Sequence, residues 1–455
     1  MNGIGIIMLI AGFFATLGIF FSGKRSKKTE EYILSRNSLK TGALSLTLFA
    51  TGMGVWVLFG PAEALLTAGL VALLFYALSS TLSLWMFGIV GAKIRDIFPH
   101  GTSLSEFVLK RFGTLMYFLV LGVSFVYMVL VMTAELTGIG LAGSIIFGTL
   151  PWHTIAIIGV ATLSYTALGG FRASVATDKI QSLVIMPLFA LIVGISVINL
   201  GNPFALLEVT HIPSFGLSGW EYGVALLIGV LSAEAFNQVW WQRVYSGENV
   251  EVMQRGFFIA GMLVFPVVFV AGILGLYGLG TDAGVNPAVA VFHFLSTTPP
   301  WLALSGMILA ITLMMSSMDS LLNGMVSIFT VDIQRIHPHI GERTLLRIAQ
   351  GLTLLFALGG MTVATYSTSV LYLFLVADLV CAGAAFTVFY GMFSKKINGT
   401  TAFVASVAGI ISGALFFPDP SFTRGSLLWS FVVAFLLPML ITLVFSNSKK
   451  LDSLC

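Results

Sequence analysis

Runs of about twenty apolar residues recur from Ile4 to Phe445 with short polar breaks between them, and about twenty is the length a helix needs to cross a hydrocarbon core. They fall at 3–22, 42–69, 71–92, 113–142, 152–169, 174–200, 219–240, 255–280, 300–329, 345–365, 369–393, 400–417 and 426–445. Lipid offers no partner to an unpaired backbone group, so only helices and closed barrels span it, and these runs have helical length. The pattern predicts an all-α polytopic membrane protein with about 13 transmembrane helices. The first run, Gly3 to Ser22, has neither a positive leader nor a small-residue cleavage site, and is expected to be a retained span.

Two runs are interrupted. The second carries Thr51-Gly52-Met53-Gly54 at mid-depth and then Gly60-Pro61; the seventh carries Gly229 and then the polar stretch Ser232 to Gln238. A helix broken in lipid exposes backbone groups that are tolerated only where they line a cavity. The breaks lie five spans apart, as a five-plus-five inverted repeat with discontinuous helices requires. The expected division is one transmembrane domain: an extra span at 1–22, repeats at 42–200 and 219–393, and two C-terminal spans at 400–445. Glycines that merely let helices pack closely are the alternative reading of the breaks.

Composition agrees with the pattern. The 455 residues are 57% hydrophobic and 9% charged, whereas soluble domains are about 25% charged; mean hydropathy is +1.00. Cys381 and Cys455 give no disulfide framework or metal-ligand spacing. The net charge of +3 matters less than its placement. Loops after odd-numbered spans collect the basic residues from Lys24 to Lys40, Lys93 to Arg111, Arg172, Lys179, Arg243, Arg255, Arg335 to Arg347, Lys395, Lys396, Lys449 and Lys450, with Arg424 the exception. Cytoplasmic loops hold the positive excess, so the N-terminus is expected outside and the C-terminus in the cytoplasm of a cell (inner or plasma) membrane.

Ionisable residues inside spans mark a pathway or a partner. Glu63, Glu135, Asp178, Glu234, Asp319 and Asp378 qualify, and no lysine or arginine is expected deep enough to pair with most of them. Each must then hold a cation, carry a proton or face water. In the ninth span Thr312, Ser316, Asp319, Ser320, Asn323 and Ser327 form one polar stripe. The adjacent Ser316 and Ser317 offer hard oxygen donors suited to a small monovalent cation. Serines in helices also bond back to the preceding turn, and the spacing leaves both readings open. The six histidines are scattered and no nucleophile or metal set stands out, so an enzyme is not expected.

Residues 164–181, from Ser164-Tyr165-Thr166 through Gly169-Gly170 to Thr177-Asp178 and Gln181, resemble the signature of the sodium/solute symporter family. Residues 316–333 are similar to that family's ion-binding helix, Phe236-Asn237-Gln238 with Gln242-Arg243 to its seventh span, and residues 28–40 to its first cytoplasmic loop. The resemblance implies the leucine-transporter-like fold and alternating access, with Na+ as coupling ion and no other cofactor. It places a sodium site on the carbonyls of Ala50, Met53 and Leu313 and the hydroxyls of Ser316 and Ser317. It also implies a second cation site at Asp178, Ser316, Asp319 and Ser320. Gly52 stands where sodium/proline members carry an aspartate, which leaves proton coupling as an alternative. A membrane sensor retaining the transporter fold is another. Solute contacts are expected at Thr51, Gly54, Trp56, Glu135, Glu234, Asn237 and Asp378. The acids among them suit an amine-bearing solute, an amino acid, urea or a polyamine, and Ala233-Glu234 replaces the aromatics of sugar-carrying members. Expected partners are that small solute, sodium ions and membrane lipids, with no nucleic acid.

Overall fold

The computed structural model describes residues 2–22, 29–209, 212, 213, 215–367, 369–420 and 422–446. Lys24, Arg25, Lys27, Lys28, Lys449, Lys450 and Cys455 lie outside the described residues. Among the described residues there is no strand, only an isolated backbone pairing of Leu39 with Gly247. By length and composition 10 helices among the described residues can cross a membrane, and up to 12 if each of two bent pairs is one span. The expected 13 counted 152–169 and 174–200 separately, whereas Pro151–Leu200 runs as one 50-residue helix interrupted at Gly170 (φ 56°, ψ −147°). Unbroken, 50 residues would extend about 75 Å, more than twice a hydrocarbon core of about 30 Å. Gly170 therefore has to divide the segment.

Both predicted breaks are present. Thr41–Gly52 and Val55–Ala68 meet at 56°, and Leu217–Glu234 and Gln238–Ser246 at 57°. In the first pair the chain is extended at Gly54, and Pro61, which has no N–H to satisfy, opens the next helix, Gly60–Ala68. In the second, the Asn237 side chain caps the new helix by accepting the Val239 N–H at 3.2 Å.

The Pro300–Ile336 helix lies at the centre, packed on Pro151–Leu200 and Thr114–Phe147. The first bent pair packs against it and against Val250–Thr281; the second lies between Leu70–Ile97 and Val370–Phe393. Gly3–Ser22 lies against Pro151–Leu200, and Gly399–Phe416 and Leu427–Val444 pack on each other and on Val370–Phe393. At one end of the bundle, arginines satisfy backbone carbonyls outside the helices: Arg36 donates to Gly101 at 2.9 Å, Arg95 to Gly247 at 2.9 Å and Arg111 to Ser394 at 2.7 Å.

One expectation about charge is overturned. Arg243, placed in a loop because the seventh span was ended at 240, is completely buried in the Gln238–Ser246 half-helix. A hydropathy window ends where a charge appears, and it has no means of registering an ion pair that carries the charge inward.

Candidate functional site

Helical spacing brings two sets of polar side chains together. Thr47 and Thr51 are one turn apart on the Thr41–Gly52 half-helix, and Ser174 and Asp178 one turn apart after the Gly170 break. Ser316, Asp319 and Ser320 face them from the central helix. Asp178 accepts hydrogen bonds from Thr47, from Thr51 at 3.2 Å and from Ser316 at 2.6 Å. Asp319 accepts from Tyr165 at 2.8 Å and Ser174 at 2.6 Å. Arg243 lies among them, its Nη2 donating to Asp178 at 3.1 Å, Thr51 at 2.5 Å and Ser320 at 2.9 Å, with its guanidinium 5.5 Å from the centre of the Phe171 ring. Asp178, Asp319 and Arg243 are each fully buried.

The motif at 164–181 thus supplies the shell of this cluster: Tyr165, Ser174 and Asp178 point into it. Its glycine pair has a separate reason. Gly170 needs its left-handed φ, and a Cβ there would collide with the Tyr32 carbonyl. The Tyr32 hydroxyl in turn donates to Ala167 at 3.2 Å.

Beside the cluster, the Ala50 to Gly54 break faces Ser316 and Ser317. Thr51 and Ser320 are 3.0 Å apart, which fixes the half-helix against the central helix at this level. Along the polar stripe the two expectations divide by position. Thr312 and Ser327 bond back to Ile308 and Gly324 at 2.7 and 2.9 Å. Ser316 instead donates to Asp178, and among the described residues neither Ser316 nor Ser317 bonds back to its own helix. Neutral oxygens in that arrangement suit a weakly bound monovalent cation.

A cavity of about 60 Å³ adjoins the break, room for a few water molecules. Of the expected solute contacts, Thr51, Trp56, Glu234, Asn237 and Asp378 line it, together with Ser317. Glu234 ends its half-helix at the second break and is held by the Trp240 indole N–H at 2.5 Å and the Asn237 amide at 3.0 Å. Trp56 stacks on Tyr76, with centroids 5.5 Å apart, and lies 6.2 Å from the Phe374 ring. No lysine, arginine or histidine lines this cavity among the described residues.

Glu135 and Gly54 are not among the lining residues. The Glu135 carboxylate lies behind the break, where Oε2 accepts the Val55 N–H at 2.6 Å. Gly54 leaves room for it, since a Cβ at that position would overlap the carboxylate. Arg243 in the cluster and Tyr76, Tyr127 and Phe374 on the cavity wall were not anticipated. The four-residue step from Thr47 to Thr51, and Arg243 one turn beyond Val239, were the available signals.

The model of the sodium:solute symporter family matches residues 32–409. A spermidine transporter of Candida albicans is 28% identical over 400 residues, covering 85% of this chain and 74% of its own length. A sodium/glucose cotransporter of Vibrio parahaemolyticus is 27% identical over 450 residues, covering 84% and 78%. Among solved structures, a Na+-coupled sialic acid symporter in a substrate-bound outward-open state superposes with a TM-score of 0.82 over 99% of both chains, at 17% identity. At that identity the likeness establishes the fold, which is leucine-transporter-like.

Proposed function

Because the chain belongs to the sodium:solute symporter family, we propose that this integral multi-pass membrane transporter carries a small organic cation by sodium-coupled symport. The observation that carries the reading is the cavity wall: two carboxylates, Glu234 and Asp378, aromatic faces at Trp56, Tyr76 and Phe374, and no basic side chain. Acids attract an ammonium group and aromatic faces bind it through their quadrupoles. A carboxylate-bearing solute would be repelled by the two acids, with no basic side chain in the wall to offset them. The spermidine transporter among the relatives agrees with a polyamine or other amine as cargo.

Sodium binds at Ala50, Met53, Leu313, Ser316 and Ser317, where the first broken helix meets the central one. Occupancy holds the half-helix Thr41–Gly52 against Pro300–Ile336 and so sets the cavity wall at Thr51 and Trp56. By linkage, solute must then tighten sodium binding by the same factor. The repeats 42–200 and 219–393 rock against each other to open the site alternately to either side, with the N-terminus outside. A second cation has a place at Asp178, Ser316, Asp319 and Ser320: when both acids and Arg243 are ionised, Asp178 and Asp319 against Arg243 leave one negative charge uncancelled. That cation is sodium or a proton.

The test is the thermal stability of purified protein in detergent against spermidine, simple amines, amino acids, urea and sugars, each in sodium and in potassium. A ligand stabilises only the state it binds. Stabilisation that needs both an amine and sodium supports the reading. A response to sugars or urea with none to amines would sink the cargo assignment, and equal responses in both salts would sink the sodium coupling.

A further inference from the structure

Resting on the sodium site above, the geometry points to Glu135 as the counter-charge of that site: a carboxylate on a different helix that supplies the negative charge the break itself lacks at Gly52. Glu135 is completely buried at mid-length of Thr114–Phe147. One oxygen caps the break by accepting the Val55 N–H. The other, Oε1, is equally buried and, among the described residues, has no partner at hydrogen-bonding distance, while the Trp56 backbone N–H and the Ser317 hydroxyl stand beside the carboxylate. Among the described residues Glu135 has no ion pair. An ionised group left so in the interior is costly, so a cation nearby is worth more there than in water.

The two serines are matched. Ser316 donates its one proton to Asp178, which turns the hydroxyl lone pairs away from that acid. Ser317 stands beside Glu135. Each of the neighbouring hydroxyls thus has a buried carboxylate of its own at hand, and the two serines are adjacent enough to share an ion. The two acids differ in charge balance, because Asp178 already has Arg243 as its cation. Glu135 has the ion alone. Gly54 keeps the carboxylate in place, since any side chain there would displace it. Glu135 is a positioning residue for sodium and takes no part in lining the solute cavity.

Glu135→Gln separates the two roles, because its amide oxygen still accepts the Val55 N–H while the charge is gone. The readouts are the sodium concentration giving half-maximal thermal stabilisation of purified protein and that giving half-maximal uptake in proteoliposomes. Both should rise about tenfold or more, with solute affinity at saturating sodium nearly unchanged. Ser316→Ala run in parallel distinguishes the failures. If Ser316→Ala weakens the sodium response and Glu135→Gln leaves it as in wild type, Glu135 is only a backbone cap and the inference is overturned. If neither variant changes it, the sodium site itself is misplaced. Should Glu135→Gln fail to fold, Glu135→Met removes the charge at similar side-chain length, and a wild-type sodium response in that variant overturns the inference equally.

Discussion

Arg243 and Asp178 meet at 3.1 Å with both side chains fully buried, one from the second broken helix and one from the segment following Gly170. The pair joins the two interrupted regions through the interior. Removing one partner of such a pair strands the other charge, which costs more than the pair itself contributes. Arg243→Ala should therefore destabilise the protein by about 3–5 kcal/mol, and Asp178→Asn added to it should recover part of the loss. Thermal unfolding of the two single variants and the double variant measures this. Additive losses would mean the pair is not coupled.

Ser316 and Ser317 should separate sodium dependence from folding. Ser316→Ala and Ser317→Ala are each expected to raise the half-maximal sodium concentration for uptake about tenfold, the scale of one lost ion-directed bond. Melting temperatures in potassium should stay within a few degrees of wild type. A fall in melting temperature with sodium activation intact would make the hydroxyls structural.

Asp378→Asn should weaken binding of an amine solute by about 2 kcal/mol or more, as for a buried partner of a charge. Trp56→Leu should weaken it by about 0.5–2 kcal/mol through loss of the aromatic face. Titration of amine-induced thermal stabilisation at saturating sodium gives both numbers. An unchanged affinity in Asp378→Asn would remove that acid from the solute site.

Gly170→Ala should cost about 1–3 kcal/mol for its backbone conformation, with a further cost because the new methyl meets the Tyr32 carbonyl. Hydrogen exchange should accelerate in residues 29–40, which Tyr32 anchors. Exchange confined to wild-type rates there would show that the anchor does not depend on the glycine.

Much of this arrangement was legible along the chain because lipid simplifies the code: apolar length marks a span, and glycine or a polar run at mid-depth marks a break. Both breaks and the polar stripe of 312–327 could be read that way. Arg243 could not, since its partner Asp178 is 65 residues away and only folding shows that the two charges meet. Glu135 was visible as a buried acid, but its direction was not. A helix position fixes a face, and whether that face meets a cavity or the back of a broken helix depends on the neighbour's path. Gly54 was expected at the solute for a related reason: a glycine in a break is open on two sides, and here the carboxylate takes one of them.

The cluster of Asp178, Asp319 and Arg243 carries a consequence for energetics across the membrane. With all three ionised it holds one fixed negative charge, which a bound cation cancels. A charge displaced through the full field is worth about 2.3 kcal/mol per 100 mV. Voltage would then act mainly on the empty carrier as it resets, and weakly on the same step once the cluster is neutralised. An interior-negative potential would drive the empty site toward the outside face, so this carrier would run faster in energised cells even at a fixed sodium gradient.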